Sequence, residues 1–205
     1  MTGWHEALEA LSDGRVVAAP TESSYGLLAD VRRPDALSQL LALKPRGSDK
    51  GQPLIVPSAS VWRELIQAPS DEATLLAERF WPGPLTLVTA AHGSLDARVT
   101  LNGTVAVRVP GPSPAAEIVA SYGAPLTATS ANDPGAPPCL TAEEVESVFE
   151  SAVRTGRLVV VAGTAPGGAP STLVKLERGS WSLIREGAIP SAVLRQVLKT
   201  DAIVP

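Results

Sequence analysis

Apolar positions recur along this chain with two periods, and the switches between them mark out its elements. Trp4, Ala7, Leu8 and Leu11 fall on one helical face, which predicts a helix over 4–12 closed by Gly14. Residues 34–43 read the same way, with Pro34 at the first helical position, Asp35 in the first turn and Leu37, Leu40 and Leu41 facing inward. Further helices are predicted over 60–66, 70–80, 112–122, 141 to about 150, and 190–198. Thr141 and Glu144 have capping-box spacing, and Trp81-Pro82-Gly83-Pro84 stops the helix before it.

Between the helices lie short runs of strand character at 16–19, 53–56, 85–89, 104–109, 125–129, 158–162, 171–176 and 181–185. The TVAVRV run alternates, placing Arg108 on the face opposite Val107 and Val109; an arginine there is costly unless paired or facing a ligand. The unbroken apolar run at 158–162 predicts a strand buried on both faces. Residues 20–30 read as a polar loop, 92–103 as a surface loop and 163–170 as a turn or flap. Strands alternating with helices, with no repeat or linker, predict one α/β domain over 1–205 with a mixed sheet.

Composition narrows the chemistry. An apolar content of 44% with 4% aromatics implies a core of Ala, Val and Leu. The net charge of −4 provides no global basic field, so any anion site must be local. A single cysteine, Cys139, excludes an intramolecular disulfide framework and fits a reducing compartment. With His5 and His92 the only histidines, a Cys/His zinc site or a Ser-His-Asp hydrolase finds no support. The start of the chain has no signal-peptide pattern, and no run reaches the roughly 18 apolar residues of a membrane span, so a cytoplasmic protein is expected.

Against that acidic background the stretch LKPRGSDKGQPLIV, from Leu43, stands out: Lys44, Arg46 and Lys50 crowd into seven residues of a chain with four lysines. It is either a solvated turn or a clamp for a polyanion, since Arg offers a planar fork to phosphate and Lys a point charge. No P-loop or dinucleotide fingerprint occurs, and no acidic cluster resembles a metal cage. Mg²⁺, where used, would be held mainly by a nucleotide's phosphates. What remains are cations (Lys44, Arg46, Lys50, Arg108, Arg185) and polar strand-end loops carrying Thr21, Ser23, Ser130, Asn132 and Ser171. They point to nucleotide or anion binding without a nucleophile–base pair.

Seven motifs in order carry a resemblance. They are PTESSYGLLAD from Pro20, LKPRGSDKGQPL from Leu43, RFWPGPLTLV from Arg79, TVAVRVP from Thr104, TSAN from Thr129, PSTLV from Pro170 and LIREGAI from Leu183. Over about residues 10–190 the chain resembles the YrdC-like threonylcarbamoyl-AMP synthases, in their short single-domain form. The resemblance implies an α/β YrdC-like fold, a twisted mixed sheet with flanking helices and a concave, positively charged ligand cleft. It implies that L-threonine, bicarbonate (or CO₂) and ATP become threonylcarbamoyl-AMP and pyrophosphate, for a separate transferase that modifies adenosine 37 of tRNA.

The family's Lys-x-Arg and Ser-x-Asn signature falls on Lys44, Arg46, Ser130 and Asn132, which it implies are catalytic. It implies that these four bind ATP together with Lys50, Thr104 and Arg185. It implies that Thr21, Ser23, Tyr25, Arg108, Ala128 and Ser171 bind threonine. Glu22 either shares that site or orients its loop; Arg108 either meets the carboxylate or makes a structural ion pair; Tyr25 either binds or packs. Pro57 and Gly111-Pro112 stand where the family often has histidines, which leaves room for a paralogue that hydrolyses threonylcarbamoyl-AMP or acts on another carbamoyl-adenylate. A double-stranded RNA-binding or ribosome-maturation protein is the reading from a different class, and tRNA contact is compatible with either.

Overall fold

The structure, a computed structural model, describes residues 3–45, 51–177 and 179–199. The chain begins with α1 (Trp4–Ser12), β1 (Val16–Pro20), β2 (Tyr25–Leu28), α2 (Pro34–Leu43) and β3 (Leu54–Ile55). It continues through α3 (Ala59–Leu65), α4 (Asp71–Phe80), β4 (Leu85–Ala90), β5 (Thr104–Arg108) and α5 (Pro114–Tyr122). Then come β6 (Leu126–Thr127), β7 (Thr129–Ser130), α6 (Ala142–Val148), α7 (Glu150–Arg154), β8 (Leu158–Val160), β9 (Thr172–Glu177), β10 (Ser180–Arg185) and α8 (Ser191–Leu198). Among the described residues no helix is long and apolar enough to cross a membrane.

The strands form two mixed sheets, ordered β7-β2-β1-β8 and β10-β9-β4-β5-β3-β6. β1 is buried throughout, because its alternating side chains feed two cores. Val16 and Ala18 pack with Leu40 of α2 and Val145 of α6, whereas Val17 and Ala19 pack with Leu11 of α1 and Ile118 of α5. Helices therefore cover both faces of the smaller sheet. In the larger sheet Leu85, Leu87, Val105, Val107 and Val174 bury one face against Trp62 of α3, Leu76 of α4 and Leu194 of α8. The intervening positions, Thr86, Ala106, Arg108 and Leu173, line a cavity on the other face.

Local chemistry sets the helix starts. The hydroxyls of Ser58, Ser70 and Ser113 each accept from the backbone N–H three residues on, and Thr141 and Glu144 close the capping box that their spacing predicts. The Ser113 cap moves the start of α5 to Pro114, not residue 112. The helix from Thr141 breaks at Phe149 and resumes as α7 to Arg154.

Three expectations are corrected. Residues 20–30 are not all loop: Tyr25–Leu28, fully buried, pairs antiparallel with β1, and the polar turn is confined to 21–24. The strand expected at 125–129 is two pieces, β6 pairing β3 and β7 pairing β2. For that reason there are two sheets, not one.

Thr127, fully buried, joins them. From β6 its hydroxyl donates to Leu27 O at 3.0 Å and accepts from Ala29 N at 2.9 Å, both on or beside β2 of the other sheet. Thr127→Val keeps the volume but leaves two buried backbone groups short of a partner, and should lower unfolding free energy by about 2 kcal/mol. Urea unfolding measures it; an unchanged midpoint would remove Thr127 from this role.

Candidate active site

A cavity of about 230 Å³ opens where the two sheets meet. The polar turn at 21–24, the β6–β7 junction, one face of the larger sheet and the start of β9 all border it. Thr21, Ser23, Tyr25, Arg108, Ala128, Ser130, Ser171 and Arg185, eight residues singled out from sequence, line it. Arg46 and Lys50 lie outside the described residues. Thr104 shares a sheet face with Ala106 and Arg108 but stands at the far end of β5. It lines a second hollow with Thr89 and Asn102, and its hydroxyl donates to Leu101 O at 2.8 Å.

The turn is shaped by Thr21, whose hydroxyl donates to Ser24 O at 2.8 Å and accepts from the N–H groups of Ser23 and Ser24. Tyr25 is anchored at its far end: its hydroxyl lies 2.9 Å from both Val161 O and Gly163 O. Burial, then the negative charges of Glu143 and Glu146, push that hydroxyl's pKa up to about 12. Its polar atom thus ties β2 to the segment after β8. Ala128 contributes backbone, its N–H donating to Pro53 O at 2.8 Å.

Arg108 reaches the cavity from the end of β5. Its Nη1 donates to Glu22 Oε1 at 2.5 Å, and Gly111 N donates to the same oxygen at 2.7 Å. Arg185 donates to Ser171 O from Nη2 at 2.8 Å and from Nε at 3.3 Å. Partial burial, and then the like charge of Arg108, lower the pKa of Arg185. Thr86 donates to Ser171 Oγ at 2.8 Å, which leaves the Ser171 proton free to meet a ligand oxygen.

The wall around Ser171 is held by Thr172 and Gly187. The Thr172 hydroxyl donates to Ile189 O and accepts from Gly187 N and Ile189 N. A Cβ at Gly187 would fall 2.1 Å from Pro170 O, so only glycine fits that approach. Sequence reasoning missed Thr86 and Thr172. The alternation that exposed Arg108 also puts Thr86 opposite Leu85 and Leu87, so that signal was present; nothing marked Thr172 as a hub.

The second cluster meets the cavity at Ser130. Lys44 Nζ donates to Ser130 O at 2.6 Å, Ser130 Oγ at 3.2 Å and Asn132 Oδ1 at 2.7 Å. Asn132 in turn donates from Nδ2 to Asp133 O and Ala136 O, fixing its amide. Three signature residues that are 86 to 88 positions apart in sequence are therefore one hydrogen-bonded group. Lys44 follows α2, which Arg98 ties to the 92–103 loop through Pro34 O and Ser38 Oγ, both at 2.8 Å. Among the described residues no group of three or more His, Cys, Asp or Glu side chains could hold a metal ion.

Cations, hydroxyl groups and an amide thus gather around a cavity between the two mixed sheets of an α/β protein. The comparisons narrow the class: the Sua5/YciO/YrdC family model, described as Telomere recombination, matches residues 9–187, and the chain belongs to that family. Threonylcarbamoyl-AMP synthase of Thiobacillus denitrificans is 39% identical over 172 residues, 82% of this chain and 88% of that protein. The Vibrio parahaemolyticus protein of the same name is 38% identical over 153 residues, 71% of this chain and 80% of that one. The P. abyssi Sua5 structure complexed with L-threonine superposes with a TM-score of 0.87 at 28% identity, over 100% of this chain and 60% of that one. The chain thus spans about three-fifths of that structure's length. E. coli YciO, at 22% identity and a TM-score of 0.78 over 91% of this chain and 90% of that one, shares the fold.

The tether on α2 yields a pH prediction. Hydrogen bonds from the Arg98 side chain hold Asp96 at a pKa of about 2, below the ordinary 3.8. A depressed folded pKa contributes stability above the ordinary value and loses it as pH falls through the folded one. Asp96→Asn should therefore cost about 1–2 kcal/mol at pH 7, with the difference from the parent closing between about pH 4 and pH 2. Urea unfolding across that range measures it.

Proposed function

We propose that the chain is an L-threonylcarbamoyladenylate synthase, joining L-threonine, bicarbonate or CO₂ and ATP into threonylcarbamoyl-AMP and pyrophosphate. The observation that carries this reading is the junction at Ser130. That residue lines the cavity holding Arg108, Arg185 and Ser171, and also bonds Lys44 beside Asn132. An amino-acid site and a phosphate site then share one wall, as a reaction between a carbamate and a nucleotide requires. The names of the relatives and the threonine in P. abyssi Sua5 support the same reading over the double-stranded RNA one.

In the proposed reaction the threonine carboxylate rests on Arg108, with the 21–24 turn and Ser171 around it. The amine lone pair attacks the carbon of CO₂, nitrogen loses a proton, and a carbamate forms. A carbamate oxygen then attacks the α-phosphorus in line, and the α–β bridging oxygen leaves with pyrophosphate. The protein contributes positioning and charge neutralisation: Lys44, with Arg46 and Lys50, meets the triphosphate, and Ser130 and Asn132 orient the nucleotide. Mg²⁺ bound with ATP would offset the charge of the triphosphate, and the Ser130 hydroxyl and Asn132 amide are the neutral groups that would face that complex.

The labile product calls for a separate transferase acting on tRNA, and we set both in the cytoplasm.

Pyrophosphate release by the purified protein should require threonine and bicarbonate together, with threonylcarbamoyl-AMP identified by mass. Release independent of threonine, or none, would overturn the reading. Lys44→Ala should lower the rate about 100-fold or more while leaving the unfolding midpoint near that of the parent. Parental turnover in that variant would remove Lys44 from the site.

A further inference from the structure

We propose that Glu22 is a positioning residue: from behind the cavity wall it fixes how Arg108 presents its guanidinium, and so sets affinity for the carboxylate of the amino-acid substrate. The inference rests on the synthase reading for the identity of that substrate.

Arginine is a poor recognition element unless held, because each of its rotatable bonds costs entropy to fix. The Arg108 side chain is 12% exposed, and among the described residues its one hydrogen-bond partner is Glu22. One of its five N–H donors is thus used, and the others remain for a ligand. Glu22 is itself held, since Oε1 also accepts from Gly111 N. A Cβ at Gly111 would stand 3.3 Å from that oxygen, so a side chain there would press the carboxylate aside by a few tenths of an ångström.

The bond also crosses the fold. Glu22 sits on the turn between β1 and β2 of the smaller sheet, and Arg108 on β5 of the larger. The direction of the guanidinium is therefore tied to the turn that brings Thr21 and Ser23 to the same cavity. Glu22 is not among the residues lining that cavity, so its influence on a ligand runs through Arg108. Its second oxygen, Oε2, is buried with no hydrogen-bond partner. A carboxylate kept half-satisfied costs stability, and orienting Arg108 accounts for its retention. Its charge also offsets the repulsion between Arg108 and Arg185.

The test is pyrophosphate release by the parent, Glu22→Gln, Arg108→Lys and the double variant, with KM for threonine and for ATP measured separately. Glu22→Gln keeps the size and an acceptor for Gly111 N but removes the charge. It should raise the threonine KM about tenfold, leave the ATP KM within about twofold, and add less than about twofold in the Arg108→Lys background. Gly111→Ala, which presses on the same oxygen from the other side, should raise the threonine KM as well, and serves if Glu22→Gln does not fold. An unchanged threonine KM, equal rises for both substrates, or an undiminished effect without Arg108 would overturn the inference while leaving the synthase reading intact. A parent that does not turn over with threonine overturns that reading, and this inference with it.

Discussion

The short stretch from Leu126 to Ser130 must serve two sheets at once, and much of the site depends on it. Leu126 and Thr127 pair with β3 of the larger sheet; two residues later Thr129 and Ser130 pair with β2 of the smaller. A strand cannot continue in both directions, so Ala128 is where the ladders part. Its backbone N–H bonds Pro53 O, in register with the β3–β6 pairing, so the larger sheet holds the chain up to this residue. The cavity opens at this parting. Backbone bonds cross the seam from Thr127 N to Ala29 O and at the Asp30–Leu126 bridge, and the Thr127 hydroxyl adds two more, to Leu27 O and from Ala29 N.

The same seam explains the electrostatics. Cations gathered on one face of one sheet would repel with nothing to oppose them; here they are distributed among supports from both sheets. Glu22 from the smaller sheet pairs Arg108 of the larger, and Ser130 from the smaller receives Lys44 from the end of α2. Arg185 rests on the carbonyl of Ser171, a neutral partner that orients the group without cancelling its charge. Partial burial, and then the like charge of Arg108, hold the pKa of Arg185 below its ordinary value.

Most elements were legible because local rules and tertiary demands agree for them. Trp4–Ser12 and Pro34–Leu43 have the predicted bounds, since a clean apolar stripe and a proline at the first helical position define them. Arg108 was legible from alternation alone, which a half-buried strand enforces. YGLL was misread because serines before it suggested a loop, yet four buried residues pairing with β1 outweigh that signal. The division at Ala128 was not legible in principle: no residue there breaks a strand, and the break exists only because two other strands compete for its edges. Lys44, Ser130 and Asn132 were assembled through resemblance; nothing in their spacing of 86 to 88 residues reveals contact.

The two faces of the larger sheet show how recognition and stability coexist in one element. On β4, Leu85 and Leu87 go to the core while Thr86 between them is 3% exposed and donates to Ser171. On β5, Val105 and Val107 are buried while Ala106 and Arg108 face the cavity. Because alternation is fixed by the pleat, a one-residue slip of β5 would bury Arg108 in the apolar core and turn Val105 and Val107 to the cavity, and a slip of β4 would turn Leu85 and Leu87 there. The hydrophobic core under α3, α4 and α8 therefore does more than hold the fold together. By fixing the register of β4 and β5 it decides which side chains face the cavity, and so makes a stable fold and a correctly lined cavity the same requirement.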